Sequence, residues 1–465
     1  MLFSSISFLY YFLPAVILLY FLVPFKFKNA VLLAFSLFFY AWGGVKYAIT
    51  MVVAIILGYI FGLLIEKFRG RKISKLFLFL AVASIISFML YFKYMDFFID
   101  NFNKVTGLNI PLLKIVLPIG ISFYTFQIIS YVVDVYRGEK SQKNPINLAA
   151  YVAMFPQLIA GPIVRYADVA RELETRTHSL ELVATGARRF IIGLAKKVLI
   201  ANSMYDISEI VYNSNDKTVL FYWMYGISVA LYIYFDFSGY SDMAIGLGKI
   251  FGFNFLENFN YPYISKSATE FWRRWHMSLG SWFRDYVYIP LGGNRVPKWR
   301  WFVNIFAVWL FTGFWHGASW NFILWGLFFG ILLVVEKFWL LKYLEKSKVL
   351  SRIYILFAAM ISFMVFNINT LGEAFTYIGG LFGAGGISFA SAETLYYLRN
   401  YAVLLIFAIV GATPVIKNLA IKLANSPKTS KIVSIIEPIV LIALLIVVTA
   451  VLVESSSNPF LYCRF

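Results

Sequence analysis

About ten runs of roughly twenty apolar residues, joined by short connectors rich in Lys and Arg, leave this chain one class of fold. In hydrocarbon every backbone N–H and C=O must find its partner within the structure, so a run of this length spans as a helix. The runs lie near 8–23, 30–45, 47–65, 75–93, 112–135, 183–205, 218–250, 352–370, 399–416 and 432–453. Three basic connectors, at 67–75, 337–352 and 417–431, all fall on the cytoplasmic side of one consistent threading. That threading leaves Asp96, Asp100, Glu373 and Glu393 in extracytoplasmic loops and predicts both termini outside. The first run has no basic residue before it and no small-residue cleavage site after it, so it reads as a spanning helix and not a signal peptide.

Composition closes the alternatives. With 61% hydrophobic and 14% charged residues the chain cannot present a soluble surface. The net charge of +18 would suit nucleic acid if it lay along one polar face, but it is spread through the connectors, where positive-inside topology explains it. No nucleic-acid partner is expected. The single cysteine, Cys463, can form no intramolecular disulfide, and nothing around it has metal-ligand spacing, so no metal site is expected. No internal repeat or linker divides residues 1–465, which read as one membrane domain.

Two segments do not thread as simple spans. Residues 146–163 contain Pro156 and the Gly161–Pro162 pair between charged loops, which fits a re-entrant segment. Broken backbone at membrane depth survives only inside protein or along a wet cavity, so a cavity is implied. Residues 302–336, between Arg300 and Lys337, have cytoplasmic flanks and must form a hairpin with His316 near its apex. An arm of about 13 residues rises only about 20 Å, short of the hydrocarbon core, which places the apex within the membrane. His316 is the only titratable group from Phe302 to Val335, and an ionisable side chain there is a functional candidate by default. The bland reading is a neutral imidazole bonded to a helix carbonyl.

The polar insertion at 251–301 is expected at the cytoplasmic interface. Ser267 or Thr269 can cap a helix, and Phe271, Trp275, Leu279, Trp282, Phe283 and Tyr286 recur at helical spacing. Arg273, Arg274, Arg284, Arg295, Lys298 and Arg300 then either meet anionic lipid or ring the mouth of the cavity as an electrostatic funnel for an anionic donor. Asp236, Ser238, Tyr240, Ser241 and Asp242 form a polar cluster in an apolar run, read as a helix-packing network or as substrate contacts. His178, among Arg171, Glu172, Glu174 and Arg176, reads as a solvated loop residue.

Long ordered stretches carry a resemblance: MLFSSISFLYYFLP at the N-terminus, FPQLIAGPIVRY at 155–166, FDFSGYSDMAIGLG at 235–248, EFWRRWHMSLGSWFRDYVYIPLGGN at 270–294, WLFTGFWHGASWNFILWG at 309–326 and the terminal NPFLYCRF. The chain resembles the membrane-bound O-acyltransferases, in particular the membrane-component branch of the alginate O-acetyltransferases. The resemblance implies an all-α polytopic membrane protein, with a ring of about 10–12 transmembrane helices and re-entrant segments around a central funnel. It implies His316 as the main catalytic histidine and His276 as the second polar position, with Arg273, Arg274, Trp315, Asp236, Ser238 and Tyr240 as candidate substrate contacts.

Acyl transfer from a thioester to a hydroxyl needs a base beside the hydroxyl. An imidazole removed from water stays neutral and accepts a proton, which suits His316. His276 would orient the donor, hydrogen-bond its carbonyl oxygen or relay the proton. The expected activity is transfer of an acyl group, acetyl in the first instance, from a cytoplasmic thioester across the membrane for O-acetylation of an exported polysaccharide or envelope glycan. Acetyl-CoA is the expected co-substrate with no bound cofactor, and a carrier-protein thioester is the variant used by the related D-alanine-transferring branch. The resemblance also implies a bacterial plasma-membrane location, contact with membrane lipid and an extracytoplasmic SGNH-type acetyltransferase partner. A transporter or lipid-carrier flippase is the rival reading, though such folds show repeated halves and none is visible here.

Overall fold

Lipid offers the backbone no hydrogen bonds, and the chain answers with helices almost throughout. The computed structural model describes residues 1–368, 370–455 and 458–460, and among these no strand is present. Cys463 and the last five residues of the terminal NPFLYCRF stretch lie outside the described residues. The N-terminal part is α1 (Phe8–Leu22), α2 (Phe25–Ala41), α3 (Val45–Lys67), α4 (Lys72–Thr106) and α5 (Ile121–Arg137). The short helices α6 (Pro145–Ala153), α7 (Phe155–Leu158) and α8 (Tyr166–Glu174) follow, then the long pair α9 (180–213) and α10 (Val219–Ile250). The insertion contributes α11 (Ala268–Trp272) and α12 (Met277–Phe283), the hairpin α13 (Lys298–His316) and α14 (Trp320–Leu344). The rest is α15 (Lys348–Asn367), α16 (Leu371–Gly380), α17 (Ala392–Gly411), α18 (Val415–Asn425) and α19 (Ser430–Glu454).

Among the described residues, seven helices (α3, α4, α10, α14, α15, α17 and α19) are long and apolar enough to cross a membrane. The other expected spans are helical but shorter, or carry more polar residues. One expectation shifts: the run at 112–135 begins its helix only at Ile121, because Pro111, Pro118 and the left-handed Gly120 (φ 78°) stop helix formation before it. Two helices outrun their apolar stretches through π-helical turns, α4 at Leu90–Tyr94 and α9 at Lys196–Ala201.

Depth in the molecule follows from composition. The most apolar stretch of α10 is 78% buried inside protein, against 6% for α19, so α10 is the axis and α19 a lipid-facing staple. Apolar side chains gain nothing by leaving lipid for another apolar surface, so helix association there depends on close packing. α9 and α10 achieve it with glycines seven apart on each helix. A Cβ on Gly193 would lie 2.6 Å from the Gly239 carbonyl oxygen, and one on Gly186 would lie 2.6 Å from that of Gly246. Along this seam Lys197 pairs with Asp236 at 2.7 Å, both fully buried, and Asp242 pairs with Lys196 at 2.7 Å and Arg189 at 2.9 Å.

Residues 146–163 are broken and buried as expected, with α6 and α7 meeting at Met154 and an irregular stretch after Leu158. The freed backbone groups find partners: Phe155 N–H donates to Ser36 Oγ (3.0 Å), Ile163 N–H to Ser278 Oγ (2.9 Å), and Tyr151 O–H to the Val164 carbonyl (2.9 Å).

Candidate active site

The hairpin that carries His316 is built by two glycines and a cap. Gly313 and Gly326 face each other, and a Cβ on either would collide with a carbonyl of the opposite helix, Phe322 or Trp309. Ser319 caps α14 by accepting from the Asn321 N–H (3.4 Å). The arms are longer than the sequence suggests. α13 starts at Lys298, so its 19 residues rise about 28 Å. Arg300 and Lys298, at the base, extend the helix because their long stems reach water from within it.

A helix that ends inside protein leaves its last carbonyls without partners. Here Tyr94 O–H donates to the Phe314 carbonyl, and Lys93 Nζ donates to those of Trp315 (2.6 Å) and His316 (3.1 Å) and lies 3.4 Å from Ser122 Oγ. Lys93 escaped the sequence reading because its partners lie more than 220 residues away.

The His316 ring is 8% exposed and is enclosed edge-on by Trp315 (4.8 Å between centroids), Trp325 (4.9 Å) and Phe366 (5.3 Å). It makes no hydrogen bond to the described residues, so the bland reading of an imidazole tied to a helix carbonyl fails. Trp315 lies between it and His276, whose ring is 6.0 Å from the indole and 4.6 Å from Phe237.

His276 does not lie on one continuous interfacial helix, as the 271–286 periodicity predicts. The helix breaks between Trp272 and Met277, and His276 takes the left-handed conformation (φ 43°, ψ 52°), which turns its side chain inward until it is 1% exposed. A non-glycine residue in that region is held by its surroundings. The Met277 N–H donates to the Asn258 carbonyl (2.9 Å), and Asn258 Oδ1 lies 3.1 Å from His276 Nδ1. Among the described residues, His276 Nε2 is buried without a hydrogen-bond partner, as are the indole nitrogens of Trp272, Trp315 and Trp325.

Two cavities flank this layer. One, of about 870 Å³, is lined by Arg273, Arg284, Trp309, Thr312, Glu336 and Lys337, and reaches to within one turn of His316. The other, of about 20 Å³, has room for a single water molecule and is lined by Lys93, Gly120, Ser122, Ile159, Trp315 and His316. Ile159 belongs to the broken 146–163 segment, which thus borders the site.

The structure gathers some of the expected residues here and leaves others elsewhere. His316, His276 and Trp315 come together, while Arg273 lines the large cavity and makes no ion pair among the described residues. Of the six expected cavity cations only Arg273 and Arg284 line it, with Lys337 joining them. Arg274 turns to Glu270 (2.9 Å) and the Asn260 carbonyl (3.1 Å), while Arg295, Lys298 and Arg300 are exposed. Asp236, Ser238 and Tyr240 are buried within the α10 seam: Asp236 pairs with Lys197, and Tyr240 stacks between Phe3 (4.5 Å) and Phe460 (4.9 Å). His178 is not a solvated loop residue. Its Nε2 lies 2.8 Å from Tyr20 O–H, and burial, with Lys28 and Arg176 nearby, holds its pKa down to about 4 and keeps the ring neutral.

Comparison with known proteins follows the same stretches. Residues 6–371 match the membrane-bound O-acyltransferase family. The chain is similar to a probable alginate O-acetylase AlgI of Azotobacter vinelandii, 39% identical over 437 residues, which is 92% of this chain and 88% of that one. A protein of the same description from Pseudomonas aeruginosa is 43% identical over 343 residues, 72% of this chain and 66% of its own length. A peptidoglycan O-acetyltransferase of Helicobacter pylori is 34% identical over 426 residues, 83% of this chain and 81% of that one.

Proposed function

The chain belongs to the membrane-bound O-acyltransferase family and is a multi-pass membrane O-acyltransferase, and from that premise we propose that it takes acetyl from cytoplasmic acetyl-CoA and delivers it across the membrane for O-acetylation of an exported polysaccharide. The observation that carries this reading is the placement of His316: a buried imidazole without a protein hydrogen bond, at the end of a helix whose base borders a large basic-rimmed cavity and whose tip borders a second pocket.

The donor enters the large cavity with its diphosphate near Arg273, Arg284 and Lys337 and its arm along Trp309 toward Thr312. The acceptor hydroxyl approaches from the Lys93–Ser122 side. Its oxygen attacks the thioester carbonyl, His316 takes the hydroxyl proton, the C–O bond forms, the C–S bond breaks, and the thiolate leaves as thiol with that proton. Lys93 holds the end of α13 so that the imidazole stays in reach of both. In this reading the protein lies in a bacterial plasma membrane with both termini outside, and an SGNH-type acetyltransferase partner passes the acetyl group to the polymer. The names of the similar proteins, alginate and peptidoglycan O-acetylases, support an acetyl group and a glycan.

The test is acetyl-CoA consumption by purified protein in vesicles, with the donor supplied on one face. Wild-type protein turns over, and His316→Ala, expressed and folded to the same level, does not. Undiminished turnover in His316→Ala would remove the catalytic assignment.

A further inference from the structure

The two histidines are not equivalent, and the difference lies in what holds His276. Asn258 is fully buried, and its Oδ1 is surrounded by three groups: the Ser278 N–H (3.2 Å), Ser278 Oγ (2.8 Å) and His276 Nδ1 (3.1 Å). A backbone N–H can only donate, so the amide oxygen, and not its NH₂, faces this cluster; that orientation follows from the contact itself. Ser278 Oγ already accepts from the Ile163 N–H (2.9 Å), which leaves its own proton for Asn258 Oδ1. Ser278 Oγ also lies 3.5 Å from His276 Nδ1, but the closer Asn258 Oδ1, at 2.8 Å, takes its proton. Against an oxygen that can only accept, Nδ1 must carry the hydrogen.

We infer that Asn258 is a positioning residue that locks His276 in its Nδ1–H tautomer, which leaves the buried Nε2 as a hydrogen-bond acceptor for an N–H or O–H of the substrate. This rests on the acyltransferase reading and changes one part of it. A neutral His276 so held has no hydrogen to give a thioester carbonyl, and its role is to receive one. The geometry supports this independently, because Nε2 is buried and has no donor among the described residues, a site that a ligand donor would satisfy. The left-handed turn at His276 and the Met277 N–H bond to the Asn258 carbonyl hold the ring against Asn258 from the backbone side as well. The flanking Arg273 and Met277 both line the large cavity, which puts the donor arm and its amide hydrogens within the same neighbourhood.

The chain has three histidines, so ¹⁵N-histidine labelling of the full-length protein in lipid yields three imidazole signals that His→Gln variants assign. The expected result is a protonated Nδ1 and an unprotonated Nε2 at His276 in the resting protein. Asn258→Asp keeps an acceptor against Nδ1 and retains both the tautomer and most of the turnover. Asn258→Ala loses the tautomer preference and about 10²-fold in kcat, the lower end of what a positioned acid–base group contributes, with KM for acetyl-CoA little changed. An Nε2–H tautomer in the wild type, or a folded Asn258→Ala protein with wild-type kcat, overturns the inference. The resonance measurement needs no turnover, so a wild-type protein that fails to consume acetyl-CoA would count against the acyltransferase reading and leave the tautomer to be judged separately.

Discussion

Trp315 is the residue where the two histidines meet, and its indole N–H is buried without an acceptor among the described residues. In acyl transfer, negative charge develops on the thioester carbonyl oxygen, and a fixed donor there stabilises the transition state more than the ground state. Trp315→Phe keeps an aromatic ring against Phe126 (5.5 Å from the indole) and removes the N–H donor along with part of the indole's volume. The expected outcome in steady-state assays on vesicles is a fall in kcat of about 10²–10³-fold with KM for the donor nearly constant. An unchanged kcat would assign the indole to packing. At this scale much was legible: one histidine alone in an apolar run, a second among arginines. Lys93 and Asn258 were not. Nothing near Lys93 in the sequence marks it as the cap of a helix 220 residues later, and Asn258 looks like a loop amide until the fold brings it against Nδ1.

The helices contribute a device that leaves no trace in a periodicity plot. Among the described residues, four of the five π-helical turns carry a charged side chain that reaches another element: Lys93 to the end of α13, Lys197 to Asp236, Asp285 to Arg165, and Glu336 to the first N–H groups of α11. One extra residue in a turn rotates all that follows and aims side chains that regular spacing would point elsewhere. The spans themselves were legible, since their length and apolarity come from the bilayer. The breaks at 107–120 and 273–276 were less so, because prolines announce the first while tertiary hydrogen bonds dictate the second. The hairpin offers the test at this scale. Gly313→Val forces a side chain against the Phe322 carbonyl, which backbone cannot yield cheaply. We expect a loss of about 1–3 kcal/mol, read as a lower midpoint in thermal unfolding, together with loss of turnover as α13 tilts away from α14.

At the scale of the whole molecule, the proposed direction of the reaction rests on the unequal cavities. In the larger, Arg273, Arg284 and Lys337 share a surface with the path toward His316, and Arg273, exposed and without an ion pair among the described residues, is the most available of them. Arg273→Ala is expected to raise KM for acetyl-CoA several-fold and to flatten its salt dependence. It should leave turnover of S-acetyl-pantetheine, which lacks the diphosphate, unchanged. Equal losses with both donors would place Arg273 in the fold instead. A cavity was legible from the proline-broken segment; the depth of the hairpin apex was not, because α13 begins at Lys298 and is longer than its apolar run. The cavity's rim was not legible either, because a basic stretch does not reveal which side chains pair with acids and which face inward. The layer between the cavities has an electrical consequence. An electrolyte-filled cavity carries the potential of its own side up to its end, so on the proposed reading, with the large cavity open to the cytoplasm, the membrane voltage would fall across the protein beyond Thr312. A full charge crossing that span exchanges about 2.3 kcal/mol with every 100 mV. On the function proposed above, a proton reaching His316 from one face or the other does work with or against that voltage, and the rate of acyl transfer would carry a voltage term.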